Sequence, residues 1–137
     1  MYRIEKRFTF PMGHRLSKHK GRCFSLHGHN FVVLVGIKAT SLDENDMVMD
    51  FSDLKKIVGD LLDGLDHCLL LNVEDQEIAN QFESLGMRVM TVAHDPTAEK
   101  LSEMLFEALS KMNNKRLMVD YVTVFENENS KATYSST

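Results

Sequence analysis

Three histidines near the N-terminus have the spacing of a metal site. His14 comes first, and His27 and His29 follow as a His-x-His pair, with Cys23 four residues before that pair. Three neutral imidazole nitrogens suit a catalytic zinc, because they leave a fourth tetrahedral position open for substrate or water. Cys23 allows two interpretations: its thiol is either a fourth ligand or a reactive group beside an open site. The choice decides whether the chain is an enzyme.

The elements around these residues predict how they meet. Residues 31–37 are apolar and β-branched on both faces, which predicts a strand at the centre of a sheet or at a contact between subunits. At the entrance to that strand, His27 and His29 leave the same face. Alternating apolar residues over 2–10 predict an earlier strand, and antiparallel pairing of the two strands would bring His14 beside the pair.

Two amphipathic helices follow. The first has its apolar stripe over 54–65, with Asp50 or Ser52 placed to cap its start and Gly64 near its end. The second begins at 95–99, where Asp95 can cap and Pro96 suits the first turn. Residues 74–85 are predicted helical, 47–49 and 87–92 extended, and 121–125 a strand that 131–135 can join. The pattern favours an α+β sandwich of two layers in a single domain, 1–137.

Composition narrows the functional classes. A chain of 137 residues fits one domain, and its net charge of -4 argues against a nucleic-acid binder, which would be basic. The N-terminus has no apolar run of the kind found in signal peptides or membrane spans, so we expect a cytoplasmic protein that does not interact with membranes. The cysteines, Cys23 and Cys68, are too few for a disulfide framework, and Cys68 is expected to pack as a small apolar residue.

The chain resembles the family of 6-pyruvoyl- and 6-carboxy-tetrahydropterin synthases over residues 8–134. Six segments match in the family's order: GHRL (13–16), CFSLHGHN (23–30), MVMDF (47–51), LDH (65–67), PTAE (96–99) and FE (125–126). The resemblance implies the tunnelling fold, an antiparallel four-stranded sheet with two helices packed on one face. In such proteins oligomerisation joins the sheets into a barrel and forms the sites between subunits, which implies a homo-hexamer, a dimer of trimers.

The resemblance also implies roles for single residues. The residues implied to hold zinc are His14, His27 and His29. Zinc bound to the substrate's hydroxyls would act as a Lewis acid and stabilise the oxyanion that develops when a neighbouring proton leaves. Cys23 is implied as the base, with His67 as its partner and Asp66 orienting that ring. The plainer interpretation of Asp66 and His67 is an ordinary helix-to-loop junction, and a third is that they serve a neighbouring subunit's site.

Substrate binding is implied for four residues: Glu126, Thr97, Glu99 and Arg15. A carboxylate at Glu126 can accept hydrogen bonds from the ring N–H and the amino group of a pterin, and the family also assigns this glutamate to the proton relay. The alternatives are a solvated strand end for Glu126 and a helix cap for Thr97. The basic residues over 15–22 either neutralise a triphosphate or form a solvated loop.

The gap between Cys23 and His27 distinguishes the branches of the family. Three intervening residues resemble the 6-carboxy enzymes, whereas animal pyruvoyl-forming enzymes have a longer gap. This favours conversion of 7,8-dihydroneopterin triphosphate to 6-carboxy-5,6,7,8-tetrahydropterin with release of acetaldehyde and triphosphate. The alternatives are triphosphate elimination to 6-pyruvoyl-tetrahydropterin and, less favoured, a non-catalytic zinc- or pterin-binding module. The connection over 71–95 is longer than in compact members, which predicts an altered pocket rim or subunit contact.

Overall fold

A six-stranded sheet carries the three helices of the protein. A computed structural model describes all residues, 1–137. Its strands are β1 (Tyr2–His14), β2 (His27–Ala39), β3 (Leu69–Asn72), β4 (Val89–Val92), β5 (Leu117–Asn127) and β6 (Ser130–Ser135). Its helices are α1 (Phe51–Asp63), α2 (Gln76–Ser84) and α3 (Ala98–Leu109).

The order of the strands is β4-β3-β1-β2-β5-β6. In the part of the sheet ordered β1-β2-β5-β6, adjacent strands are antiparallel, as predicted. Strand β3 is parallel to β1, and β4 is parallel to β3. The expected four-stranded antiparallel sheet is therefore extended by two parallel strands. The sequence does not predict β3, because its four residues have no alternating pattern. The strand pairs with β1 only at Gly13 and His14.

The hairpin of β1 and β2 is the longest pairing in the sheet. Its register runs from Tyr2 opposite Ala39 to His14 opposite His27. Side chains alternate along both strands, so that Phe10 and Met12 of β1 enter the core beside the fully buried Phe31, Val33, Val35 and Ile37 of β2. The prediction of a central position for β2 is confirmed, since it lies between β1 and β5.

Helices α1 and α3 cover the core face of the sheet, as predicted. Asp50 caps α1 by accepting a hydrogen bond from Ser52 N, and Gly64 ends that helix. The cap of α3 is Thr97, whose hydroxyl accepts from Lys100 N, so the expected cap at Asp95 is wrong. Asp95 lies too far upstream of the first turn, and its carboxylate binds the loop after β1 instead.

Helix α2 confirms the helical prediction for 74–85 and lies apart from the other two. Leu71 of β3 and Ala79 of α2 are fully buried but lie outside the main core, which contains Leu70. Because Leu70 and Leu71 point to opposite faces, α2 covers the second face of the sheet at β3 and β4. None of the helices combines the length and apolarity needed to cross a membrane.

Residues 47–49 do not form the predicted extended segment. They lie in a series of bends between β2 and α1. Val48 is buried, and its carbonyl accepts a hydrogen bond of 2.8 Å from Arg116 Nη2. Of these three residues only Val48 is buried, in a loop that Arg116 binds by hydrogen bonds to the carbonyls of Ser41 and Val48. The predicted strand at 87–92 is confirmed as β4, and that at 131–135 as β6.

The close contact between Gly36 and Tyr121 yields a stability prediction. A Cβ at Gly36 would lie 2.3 Å from Tyr121 Cε1, and the Tyr121 hydroxyl is held by a hydrogen bond to Glu5. We expect Gly36→Ala to lower the melting temperature, at a cost of about 1–3 kcal/mol typical of overpacking. Gly59→Ala, with no atom within 4 Å of the new methyl, is the control and should stabilise α1 by about 0.5–1 kcal/mol. Thermal melts at matched protein concentration in which Gly36→Ala is not destabilised would contradict the contact.

Candidate metal centre and active site

The three histidines meet at one end of the β1–β2 hairpin. His14 closes β1 opposite His27, and His29 lies two residues further along β2 on the same face. Their ring centroids are 4.5 Å (His14 and His27), 5.1 Å (His14 and His29) and 4.9 Å (His27 and His29) apart. The expectation that antiparallel pairing brings His14 beside the His-x-His pair is thus met by the register of the hairpin.

Hydrogen bonds from two of the rings, His14 and His27, leave their Nε2 atoms for a ligand. His14 Nδ1 donates to the Pro96 carbonyl and His27 Nδ1 to the Ser25 carbonyl, both at 2.8 Å. A carbonyl can only accept, so these bonds place the proton on Nδ1 and the lone pair on Nε2. The Nε2 atoms of all three histidines are buried without a hydrogen-bond partner. Since unpaired buried acceptors are costly, a metal ion bound by the three nitrogens fits the site.

Burial also favours the neutral form of His14 and His29, which is the form that binds metal. Desolvation lowers the pKa of His14, against the hydrogen bond to Pro96, which raises it. Desolvation likewise lowers the pKa of His29, and the negative charge of Glu126 opposes it. Neutral imidazoles need not lose a proton before they coordinate a cation.

Cys23 is not one of the mutually close ligands. The ligand atoms of the three histidines all lie within 4.8 Å of one another, and the Cys23 sulfur is not part of that group. Cys23 lies half-buried in a short 3₁₀ turn, Arg22–Phe24, in the loop between β1 and β2. The arrangement therefore offers three candidate nitrogen ligands, and the thiol lies on a separate element nearby in the chain.

An aspartate holds this loop to the rest of the protein. The Asp95 carboxylate accepts hydrogen bonds from Ser17 Oγ at 2.6 Å, Lys18 N at 3.0 Å and Asn72 Nδ2 at 3.0 Å. Partial burial raises the pKa of Asp95, but these hydrogen bonds outweigh it and lower the pKa to about 2. Asp95 immediately precedes Pro96, so one short segment supports both the loop and the His14 ring. Sequence reasoning missed this function of Asp95 and Asn72.

Arg15 is the first residue of the same loop, and its side chain binds two other segments. Its Nε donates to the Phe24 carbonyl at 2.7 Å, and its guanidinium carbon is 4.0 Å from the centre of the Phe24 ring. Its Nη1 donates to the carboxylate of Asp75, which ends a 3₁₀ turn after β3. Lys18, Lys20 and Arg22 are exposed. The structure thus places Arg15 in contacts within the protein, unlike the other basic residues of the loop.

Asp66 and His67 follow α1 at the surface. His67 Nδ1 is 2.6 Å from Asp66 Oδ1, and 76% of the His67 side chain is exposed. His67 adopts a left-handed backbone conformation with φ of 59°. It lines, together with His29, a surface cleft of about 660 Å³. Within one chain His67 makes no hydrogen bond to Cys23.

The remaining predicted residues are Glu126, Thr97 and Glu99. Glu126 is half-buried next to the end of β5, at an irregularity of its pairing with β6. Its negative charge opposes the lowering of the pKa of His14 and of His29 by burial, so the carboxylate lies near both rings. Thr97 follows the Pro96 carbonyl that binds His14, and its hydroxyl caps α3. Glu99 is exposed in the first turn of α3.

Comparisons with known proteins identify the family and the fold of the chain. The family model of 6-pyruvoyl tetrahydropterin synthase matches residues 3–137. The 6-carboxy-5,6,7,8-tetrahydropterin synthase of Haemophilus influenzae is 33% identical over 98% of this chain and 99% of that protein. The putative enzyme of that name from Archaeoglobus fulgidus is 38% identical over 88% of this chain and 84% of its own. The solved structure of Caenorhabditis elegans 6-pyruvoyl tetrahydropterin synthase superposes with a TM-score of 0.71, at 25% identity, over 99% and 96% of the two chains.

The histidine cluster yields a prediction for metal binding. Zn²⁺ at 100 times its dissociation constant should stabilise the protein by about 2.7 kcal/mol and raise its melting temperature. His29→Ala removes one of three ligands, so we expect at least ~100-fold weaker binding, a larger loss than is typical of changes around a ligand. His19→Ala alters an exposed ring whose Nδ1 accepts from Gly21 N, and it should bind zinc as the wild type does. Equal zinc affinity of the two variants, measured by competition with a chelating dye, would rule out the cluster.

Proposed function

Because the chain belongs to the 6-pyruvoyl tetrahydropterin synthase family and shares its tunnelling fold, we propose that it is a 6-carboxy-5,6,7,8-tetrahydropterin synthase. Its substrate is then 7,8-dihydroneopterin triphosphate, and acetaldehyde and triphosphate are released. The match to curated relatives of that name over nearly their full length is the observation that carries the proposal. The cluster of three unpaired Nε2 atoms supplies the site.

The proposed ligands of zinc are His14, His27 and His29. When bound, zinc would supply Lewis-acid polarisation of the hydroxyl groups on the pterin side chain. The protein prepares these ligands by two means described above: carbonyl hydrogen bonds fix the rings of His14 and His27, and burial keeps His14 and His29 neutral. Because the Cys23 sulfur is not part of this group, the three histidines would hold the zinc and leave it open to substrate.

Cys23 is the proposed base, and the Asp66–His67 pair its proton partner. The hydrogen bond from Nδ1 to Asp66 leaves Nε2 of His67 free to hold a proton, and the carboxylate stabilises the imidazolium that results. The large exposure of His67, and the absence of a hydrogen bond to Cys23 of its own chain, support action at the site of a neighbouring subunit. The proposed assembly is a homo-hexamer, a dimer of trimers.

Glu126 is the proposed anchor of the pterin ring. Its carboxylate can accept two parallel hydrogen bonds from the ring N–H and the amino group, and its position beside the histidines would place the pterin side chain at the metal. A part in the proton relay is included in the proposal for Glu126. Thr97 and Glu99 would line the pocket from the start of α3. Arg15, the fourth residue for which substrate binding is implied, instead binds Phe24 and Asp75 of its own chain.

The second candidate is formation of 6-pyruvoyl-tetrahydropterin, the product that the Caenorhabditis elegans structure is named for. It is less favoured, because the three residues between Cys23 and His27 match the shorter gap of the 6-carboxy enzymes. A zinc- or pterin-binding module without activity is a third, and it requires Cys23 as a fourth ligand. The separation of Cys23 from the cluster argues against it.

Product identification tests the reaction. We expect zinc-loaded protein to convert 7,8-dihydroneopterin triphosphate to 6-carboxy-5,6,7,8-tetrahydropterin with one equivalent of acetaldehyde. Mass spectrometry of the pterin and an enzymatic assay of the aldehyde measure the two products. A 6-pyruvoyl product without acetaldehyde would instead establish the second candidate, and His29→Ala is the control for metal-independent breakdown of the substrate.

Cys23→Ala tests the base. We expect this variant to fold and bind zinc as the wild type does while kcat falls by at least ~100-fold, the range usual for a lost general base. Cys68→Ala removes the other thiol, which is buried away from solvent, and should keep its activity. Loss of zinc and a lower melting temperature in Cys23→Ala would show that the thiol is a structural ligand, and full activity would exclude the proposed role.

A further inference from the structure

The loop that carries Cys23 has little regular structure of its own. Residues 15–26 join β1 to β2, and their one regular element is the 3₁₀ turn Arg22–Phe24. No residue of that turn is buried, so apolar packing does not fix it. Its position must therefore depend on polar contacts.

Arg15 contacts both the backbone and the side chain of Phe24, the last residue of the turn. Its Nε donates to the Phe24 carbonyl at 2.7 Å, and its guanidinium stacks on the Phe24 ring at 4.0 Å. The next residue, Leu16, donates its N–H to the Cys23 carbonyl at 2.9 Å. The carbonyls of Cys23 and of its neighbour are thus both bound by the segment that immediately follows the metal ligand His14.

Asp75 fixes the other end of the guanidinium. The Arg15 and Asp75 side chains are 13% and 10% exposed, so this ion pair is largely removed from water. Asp75 ends the 3₁₀ turn Val73–Asp75, which directly follows β3 and is continuous with the sheet. A pair so nearly buried requires well-formed geometry, and the planar guanidinium allows one side chain to donate in two directions and to stack.

We propose that Arg15 is a positioning residue for Cys23: it links the turn that carries the thiol to the end of β3 through Asp75. The inference rests on the proposed role of Cys23 as base. A base must lie within hydrogen-bond reach of the proton that it removes, and a displacement of about 1 Å can reduce the rate by about 100-fold. Lysine at this position keeps the charge but offers a single ammonium, which cannot bind Phe24 and Asp75 and stack as well.

This role differs from substrate binding in what it does to the kinetics. A residue that only binds the triphosphate raises KM when it is changed and leaves the thiol as it was. A residue that positions Cys23 lowers kcat, leaves KM nearly unchanged and alters the access of reagents to the thiol. The two roles of Arg15 can therefore be separated in the same set of variants.

The experiment compares Arg15→Lys and Asp75→Asn in the full-length, zinc-loaded protein. We expect Arg15→Lys to lower kcat by about 10- to 100-fold with less than ~3-fold change in KM. Alkylation of Cys23 by iodoacetamide, followed by mass spectrometry at a pH where the thiol is ionised, should become at least ~3-fold faster as the turn loosens. Buried Cys68 is the internal reference for global unfolding. Asp75→Asn, which touches neither Cys23 nor His14, should move both quantities in the same direction by less.

Lys56→Gln is the matched control, because it breaks an exposed ion pair with Asp60 on α1 and should change nothing. If Arg15→Lys does not fold, Asp75→Asn and Phe24→Leu, which removes the stacking contact, decide the question. A rise in KM with kcat and the alkylation rate unchanged would overturn the inference and show that Arg15 binds substrate. Wild-type values of kcat, KM and alkylation rate in all variants would overturn it as well. If the wild type forms no product but alkylation quickens in the variants, the proposed function fails and the positioning of Cys23 by Arg15 stands.

Discussion

The continuous antiparallel pairing of β1 and β2 determines where the three histidines lie, and the other parts of the site are positioned around them. It sets His14 opposite His27 and gives His29 the same face, at the point where the apolar core of the hairpin ends. Because side chains alternate with a period of two, a shift of one residue in this pairing would turn the histidines of one strand to the opposite face of the sheet. The buried residues of β2 prevent that shift, since it would also expose them to water. Core packing and ligand geometry are thus determined by the same pairing.

A second tier of contacts is polar and joins distant parts of the chain. Asp95 binds the loop after β1 and the end of β3, while the segment that follows it accepts a hydrogen bond from His14. Asp75 binds the same loop through Arg15. These carboxylates replace the apolar core where the chain must stay open to a ligand. They hold a solvent-accessible loop in place next to the three histidines.

Sequence patterns predict well those elements whose signals are local. Local patterns correctly predict strand β2, helices α1 and α3 and the cap at Asp50. The spacing of the histidines predicts that they lie close together. What could not be read depends on residues far apart in the chain. The partners of Asp95 include Ser17, 78 residues away, so an aspartate before a proline looked like a cap. Strand β3 pairs with β1 at two positions only, and Val48 is buried in a loop that Arg116 fastens 68 residues later. The roles proposed for Cys23 and His67 rest on resemblance, because within the chain these two residues make no hydrogen bond to each other.

The left-handed backbone at His67 sets stability against chemistry at one position. Glycine adopts a φ of 59° readily, whereas a residue with a Cβ does so at a cost of about 1 kcal/mol or more. The fold would therefore favour a glycine here, and the imidazole, with its hydrogen bond to Asp66, is retained against that preference. Engineering for thermostability guided by backbone geometry alone would select this site for replacement, and it would remove the proposed proton carrier in doing so.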